Sequence, residues 1–229
     1  MDQRIYAMVT WRKTGRLRFL GHLDIARTIE RAVRRAGLPV VYSKGYNPTA
    51  QISFLSALPL GTAAENELCA IQLSERVRGD QVREALSEQL PPDLGVVDVD
   101  VVSVTGRRLF AGLTVAEYRV ELWPEDAPDP DDLAAAVARV WAAKELVITR
   151  ETKSRTRQID IRPGIHSLAV AEPGDDSQSG PVLVMALAFE SDKLVKPAEV
   201  LECIASRLQD TTGAAALSRP RRITRLGIY

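Results

Sequence analysis

The chain has 229 residues, 45% of them hydrophobic and 26% charged, with thirty Lys/Arg balanced by thirty Asp/Glu. That composition supports one large or two small packed domains and excludes a disordered tail. Apolar runs such as "PVLVMALAF" fall far short of the roughly 20 residues of a membrane span, and the charged N-terminal residues lack a secretory apolar core, so a soluble, cytoplasmic protein with no membrane partner is expected.

The balanced total conceals an asymmetry. Residues 1–60 hold ten Lys/Arg against three Asp/Glu, a net of +7, whereas residues 61–150 hold nine against seventeen, a net of −8. A basic segment draws polyanions, and nucleic acid is the commonest such partner. The two cysteines, Cys69 and Cys203, lie in the apolar stretches "NELCAIQL" and "VLECIASRL", which predict buried reduced thiols rather than a disulfide framework. Without CxxC, a three-cysteine cluster or HExxH, no metal or iron–sulfur site and no cofactor is expected.

Along the chain, "RIYAMVTWRK" alternates Ile5, Ala7, Val9 and Trp11 as a half-buried strand does. "LDIARTIERAVRRAG" sets Ile25, Ile29, Ala32, Val33 and Ala36 at helical spacing, with Gly37 as its stop. "PVVYSKG" and "AQISFLSAL" read as extended, and "ELCAIQLSE" as a strand. Asp80 is expected to cap a helix that Pro91-Pro92 ends, and "GVVDVDVVSV" closes the unit as a strand.

The second half repeats the order. "LTVAEYRVELW" is a strand, and "DPDDLAAAVARVWAA" a helix starting near Pro130 with Leu133, Val137, Val140 and Trp141 on one side. "ELVITRETK" and "TRQIDIRPGIHSLAV" read as strands flanking a basic turn, and the acidic "AEPGDDSQSGP" as a hairpin loop before "VLVMALAF". A helix in "KPAEVLECIASRL" and a strand in "RRITRLGIY" follow. Two rounds of β-α-β-β-α-β predict an α+β fold of two tandem ferredoxin-like (βαββαβ) units with antiparallel sheets, residues 1–110 and 111–229. The repeat lies in element order rather than residue identity; one continuous α+β domain with a larger sheet is the alternative.

Arg27, Arg31, Arg34 and Arg35 project away from the apolar stripe of the first helix as a cationic ridge. With Arg12, Lys13, Arg16 and Arg18 just before it, the ridge has the character of a phosphate footprint, since each guanidinium can donate two parallel hydrogen bonds to phosphate. The plain alternative is a solvated face with Glu30 pairing to Arg34. In "FLGHLD", His22 and Asp24 are the candidate catalytic residues, against a structural reading in which Asp24 caps the helix and His22 packs over it. "TKSRTRQIDIR" offers a second basic strip of Lys153, Arg155, Arg157 and Arg162, with Asp160 orienting an arginine, or else an exposed hairpin kept soluble by charge. In "SKGYNPTAQISFLSALPLG", Gly45 and Gly61 permit tight turns, Asn47-Pro48 favours turn initiation, and Lys44, Tyr46 and Asn47 are the binding candidates, Tyr46 for stacking a base.

"GRLRFLGHLDIARTIERAVRRAGLPVVYSKGYNPTAQISFLSALPLG" (15–61) and the later "TKSRTRQIDIRP" (152–163) resemble the hallmark segments of a bacterial family of radical-SAM-associated proteins, found fused to or encoded beside radical SAM proteins. The resemblance implies a module that binds a substrate or presents it to a separate radical SAM partner. The chain lacks the CxxxCxxC motif that holds a radical SAM cluster, so it is not that catalyst itself. Family members often carry a basic residue or His where this chain has Thr49 and Ala50.

Three functions fit these residues. An accessory RNA-binding module uses the basic groove. An RNA-processing or RNA-modifying enzyme is the second reading, by analogy with the tandem ferredoxin-like folds of CRISPR endoribonucleases and pseudouridine synthases, with His22 or Asp24 in the chemistry. A protein-only adaptor docking a radical SAM partner through residues 43–61 is the third.

Overall fold

Alternation of apolar residues at period two or 3.6 accounts for most of the elements. The computed structural model describes residues 3–104, 109–152, 155–172, 180–190, 193–209 and 211–229, and the chain divides into two compact units, Met1–Gly112 and Leu113–Tyr229. The architecture is mixed α+β, with antiparallel strands in each unit.

The first unit contains β1 (Arg4–Lys13), a 3-10 turn (Gly15–Phe19), α1 (His22–Arg35), β2 (Ile52–Phe54), β3 (Thr62–Leu73), α2 (Gly79–Ser87) and β4 (Val96–Val104). Its strands lie in the order β4–β1–β3–β2, each antiparallel to its neighbour. Register places Ala7 opposite Ile71 and Val9 opposite Cys69, so the apolar alternations of β1 and β3 share a face. Ile25, Ile29 and Val33 of α1 and Val82 and Leu86 of α2 join that same core. Beyond α1, Gly37 takes φ 64°, the left-handed conformation in which glycine carries no Cβ penalty.

Three expectations are corrected here. "PVVYSKG" forms only isolated bridges, Val40 to Leu73 and Tyr42 to Ala50, because the chain reverses between Ser43 and Thr49. Asp80 is not the cap of α2; Arg78 holds that position, and Asp80 in the first turn accepts from the Arg78 guanidinium and from the Gln81 amide. Lys13 is buried, its ammonium 3.4 Å from the Arg18 carbonyl, because it continues the alternation of Ala7, Val9 and Trp11 on the core-facing side of β1.

The second unit runs β5 (Val115–Glu121), α3 (Pro130–Ala142), β6 (Val147–Thr152), β7 (Arg155–Asp160), a 3-10 turn (Arg162–Gly164), β8 (Ile165–Ala171), β9 (Val182–Ala188), α4 (Pro197–Ala205), α5 (Thr211–Ser218) and β10 (Arg222–Ile228). Strands β10–β5–β9–β8 form the sheet, and β6–β7 is a separate two-stranded hairpin. Leu133, Val137 and Val140 of α3 are buried, as are Val200, Leu201 and Ile204 of α4 and Leu183, Met185 and Leu187 of β9. The Asp129 carboxylate caps α3, accepting from the amides of Asp131 and Asp132. Residues 173–179 of the expected acidic loop lie outside the described residues.

"TRQIDIRPGIHSLAV" is not one strand. Pro163 lacks an amide donor, and the chain breaks there into β7 and β8 through the 3-10 turn. Arg162 holds the break together: Nε donates to the Ala143 carbonyl at 3.1 Å, Nη1 to Ile165 at 3.1 Å and Nη2 to Trp141 at 2.9 Å, while the guanidinium lies 4.5 Å from the Trp141 ring centroid. Trp141 therefore stands partly exposed under an arginine instead of entering the core with Val137 and Val140.

Two stability predictions follow from these contacts. Arg162→Ala should lower the unfolding free energy by about 1.5–3 kcal/mol, the range for hydrogen bonds to a charged group, with Arg162→Lys recovering only part because one ammonium cannot span three carbonyls; denaturant titration reads both. Burial first, and the Glu67 carboxylate second, push the Cys69 thiol up to about 12. The unfolded thiol ionises near its ordinary 9.0, so this contribution to stability is complete below pH 9 and is lost as pH rises towards 12. Burial also raises Cys203, and desolvation with the Glu117 hydrogen bond pushes Tyr229 up to about 12 from 10.0, adding loss in the same direction. The alkaline fall in melting temperature should accordingly be smaller in Cys69→Ala than in the parent chain.

Candidate nucleic-acid interface

Seating Ile25, Ile29 and Val33 in the core turns the opposite side of α1 to solvent. Leu23, Arg27, Arg31 and Arg34, at steps of four, four and three, line that side and are all exposed. Arg27 Nη1 lies 3.9 Å from Asp24, and Arg34 Nη2 3.5 Å from Glu30. Both are solvent-screened pairs within one helix, which a phosphate can replace at little cost. Arg31 has no partner among the described residues. Arg35 is set apart from the ridge, because it donates to the Gln89 side chain at 3.1 Å and the Gln89 carbonyl at 2.8 Å, tying the end of α1 to the end of α2.

The hairpin that follows α1 is closed by Ser43 and Thr49: the Ser43 amide donates to the Thr49 carbonyl at 2.8 Å, the Thr49 amide to Ser43 Oγ at 3.0 Å, and the two hydroxyls meet at 3.1 Å. Lys44, Tyr46 and Asn47 occupy the tip, and Tyr46 is 100% exposed. Gly45 has φ 145°, a backbone state that side chains rarely adopt, so the tip carries its tyrosine on a turn that needs glycine beside it.

The other end of α1 differs. Gly21 is its cap and no side chain caps it, so the expected Asp24 cap is replaced by a carboxylate in the first turn, favoured there by the helix dipole. His22 packs edge-on to Phe54 at 5.3 Å, and Phe54 packs edge-on to Trp11 at 6.4 Å; His22 does not lie over Asp24. Two residues apart on a helix, His22 and Asp24 point in different directions, so they form no acid–base pair with each other. Arg16 is exposed on the 3-10 turn, and the Arg18 guanidinium sits 4.7 Å over the Phe19 ring. Arg12 follows Trp11 on β1 and projects from the other face of the sheet, lying across Gly95, so it does not join the ridge.

In the second unit Arg157 is exposed on β7 with no partner among the described residues. It stands opposite Arg150 on β6, whose guanidinium is bound by Glu199 at 2.7 and 2.8 Å and held in its charged form by that carboxylate. Lys153 and the side chain of Arg155 lie outside the described residues. Asp160 orients backbone rather than a guanidinium, accepting from the amides of Leu146 at 2.7 Å and Arg162 at 3.0 Å. Arg162 itself is turned inward on three carbonyls. A cleft of about 590 Å³ beside this hairpin is lined by Arg150, Asp160, His166 and Lys193; its cations are matched, Arg150 by Glu199 and Lys193 by Glu190 at 3.0 Å, so it adds no net positive field. Among the described residues no group of His, Cys, Asp and Glu is arranged to hold a metal, and no helix is long and apolar enough to cross a membrane.

Sequence reasoning passed over Phe19. Its signal was "RLRF", an aromatic residue directly after two arginines and just before Gly21, where a core residue is not expected.

No curated protein matches the chain. Among solved structures, it is similar at 10% identity to a chain of the archaeal box H/ACA sRNP Nop10–Cbf5 complex, covering 96% of this chain and 46% of that one with a TM-score of 0.45. It is similar at 9% identity to a chain of a Cbf5–Nop10–Gar1 complex, covering 96% and 47% with a TM-score of 0.48. The chain spans less than half the length of either. A family model matches residues 7–197, and the chain belongs to the bacterial family described as "Uncharacterized protein conserved in bacteria (DUF2344)".

Proposed function

We propose that this protein is an accessory RNA-binding module of two tandem ferredoxin-like domains, 1–110 and 111–229, which holds RNA on the outward side of α1 and the 43–49 hairpin. The strand order β4–β1–β3–β2 supports the fold reading for the first half. The order β10–β5–β9–β8 supports it for the second, once β6–β7 is taken as an insertion. The observation that carries the function is the exposed row Arg27, Arg31 and Arg34 on a helix that is followed, after residues 36–42, by a hairpin tip bearing Lys44 and the fully exposed Tyr46. Guanidinium groups neutralise phosphates and an exposed ring stacks a base, the division of labour of RNA-binding surfaces. Arg16, Arg18 and Asn47 extend the same surface, and the exposed Arg157 on β7 offers a second point of contact. The resemblance to radical-SAM-associated proteins supports presentation of the bound RNA to a separate radical SAM enzyme in the cytoplasm. His22 packs on Phe54 and Asp24 pairs with Arg27, so the two form no acid–base pair, which favours binding over intrinsic catalysis.

Fluorescence anisotropy of labelled RNA across a salt series tests the reading. Each phosphate neutralised on a single strand contributes about 0.7 to the slope of log K against log salt, so replacing Arg27, Arg31 and Arg34 together by Ala should reduce the slope by about 2. An unchanged slope in a triple variant that still melts at the parental temperature would overturn the proposal.

A further inference from the structure

The exposed row of α1 does not begin with an arginine. Leu23 is 68% exposed at its first position, Phe19 is 58% exposed on the turn just before it, and Leu60 is 70% exposed. The Gly61 amide donates to the Arg18 carbonyl at 2.9 Å, which fastens the Leu60 turn beside the Phe19 turn, and Leu23 follows Phe19 by four residues on the first turn of α1. An apolar patch in open solvent contributes nothing to the core and marks a surface that something covers. Its surroundings are cationic, with Arg16, Arg18 and Arg27 around it and the Arg18 guanidinium on the Phe19 ring. Beyond the opposite end of α1 the chain turns at Gly37, runs along the end of β3 through Val40 and Val41, and then enters the hairpin that carries Tyr46.

We infer that the ligand is single-stranded RNA laid along α1, with one unpaired base on Phe19 between Leu23 and Leu60 and another on Tyr46. The phosphates between them lie on Arg27, Arg31 and Arg34. This inference rests on the RNA-binding reading above and specifies the form of the RNA. Two aromatic platforms separated by a cationic row suit a strand whose bases are free to splay, whereas in a duplex both ring faces of every interior base are already stacked. The fourteen residues of α1 span about 21 Å at 1.5 Å per residue. A stacked strand rising about 3.4 Å per nucleotide covers that length in about six nucleotides, and an extended strand in fewer. A footprint of about four to six nucleotides falls at the lower end of known single-strand sites.

The test compares anisotropy of a labelled ten-nucleotide single strand and of its blunt duplex, using the full chain and the variants Phe19→Ala, Phe19→Trp and Tyr46→Ala. Each alanine variant should weaken single-strand binding about tenfold, within the range found for loss of one stacked base, and leave the salt slope unchanged because no charge is removed. Phe19→Trp should restore binding, and the duplex should bind more weakly and respond to neither alanine change. Exposure of both rings means that melting temperatures should stay at the parental value, which separates a binding effect from a folding one. Single-strand affinity unchanged in Phe19→Ala overturns the inference, leaving the apolar patch to a protein partner, and tighter binding of duplex than of single strand also overturns it. If the arginine triple variant loses its salt slope while the aromatic variants bind like the parent, the RNA reading stands and this inference falls. If no RNA of either form binds at low salt, both fall.

Discussion

Ile25, Ile29 and Val33 share a core with Ala7, Val9, Cys69 and Ile71, and the exposed groups of the first unit take their positions from that contact. With three side chains seated against the sheet, the rotation of α1 about its axis is no longer free. At about 100° per residue, Leu23, Arg27, Arg31 and Arg34 must then face water. The cationic row is thus a consequence of apolar packing on the far side of the same helix. It is rigid for the same reason: the helix cannot roll without exposing isoleucine and valine. A row whose order is set by packing presents its charges without a backbone ordering cost at the moment of binding, leaving only the arginine side chains to be ordered.

The second basic segment is organised by a different device. Arg150 and Arg157 face each other across β6–β7, an arrangement that would repel if both guanidiniums were uncompensated. Glu199 removes that conflict by taking Arg150 in a two-point contact, leaving Arg157 as the outward charge. Arg162, a few residues on, is a cross-brace between the end of α3 and the start of β8. Of four basic residues grouped by spacing alone, one faces solvent with no partner, one is a structural member, and Lys153 and the Arg155 side chain lie outside the described residues. The arithmetic of charge along a sequence therefore counts groups whose donors the fold has already engaged.

Most elements were legible because a single local signal decided each one. The alternation of Ile5, Ala7, Val9 and Trp11 specifies a strand, and the Ile25–Ile29–Val33 spacing specifies a helix, whatever lies next to them. Less legible were features decided by two distant segments. Trp141 reads as core until Arg162, from beyond an inserted hairpin, covers its ring. "TTGAAALS" forms α5 although Thr and Gly are weak helix formers, because tertiary packing overrides propensity in so short a stretch. Tyr46 was legible as a binding candidate from its turn residues alone. Its complete exposure depends on the Ser43–Thr49 closure, which composition does not reveal.

The location of the aromatic groups distinguishes this surface from a sheet that binds RNA on its open face. On β1 the residues facing away from the helices are Tyr6, Met8, Thr10 and Arg12, and the one aromatic among them, Tyr6, is 5% exposed. A buried ring offers no plane to a base. Phe19 and Tyr46, the two most exposed rings among the described residues, lie on the turn before α1 and on the 43–49 hairpin after it, where the chain has left the packed elements and side chains are not claimed by the core. Turns tolerate an exposed ring at little cost to folding, whereas a ring at mid-strand or mid-helix is drawn inward by the area it can bury. With the proposed stacking rings on the turn and the hairpin that bracket α1 in sequence, and the charges on the helix itself, each residue type sits where the physics of the fold leaves it accessible.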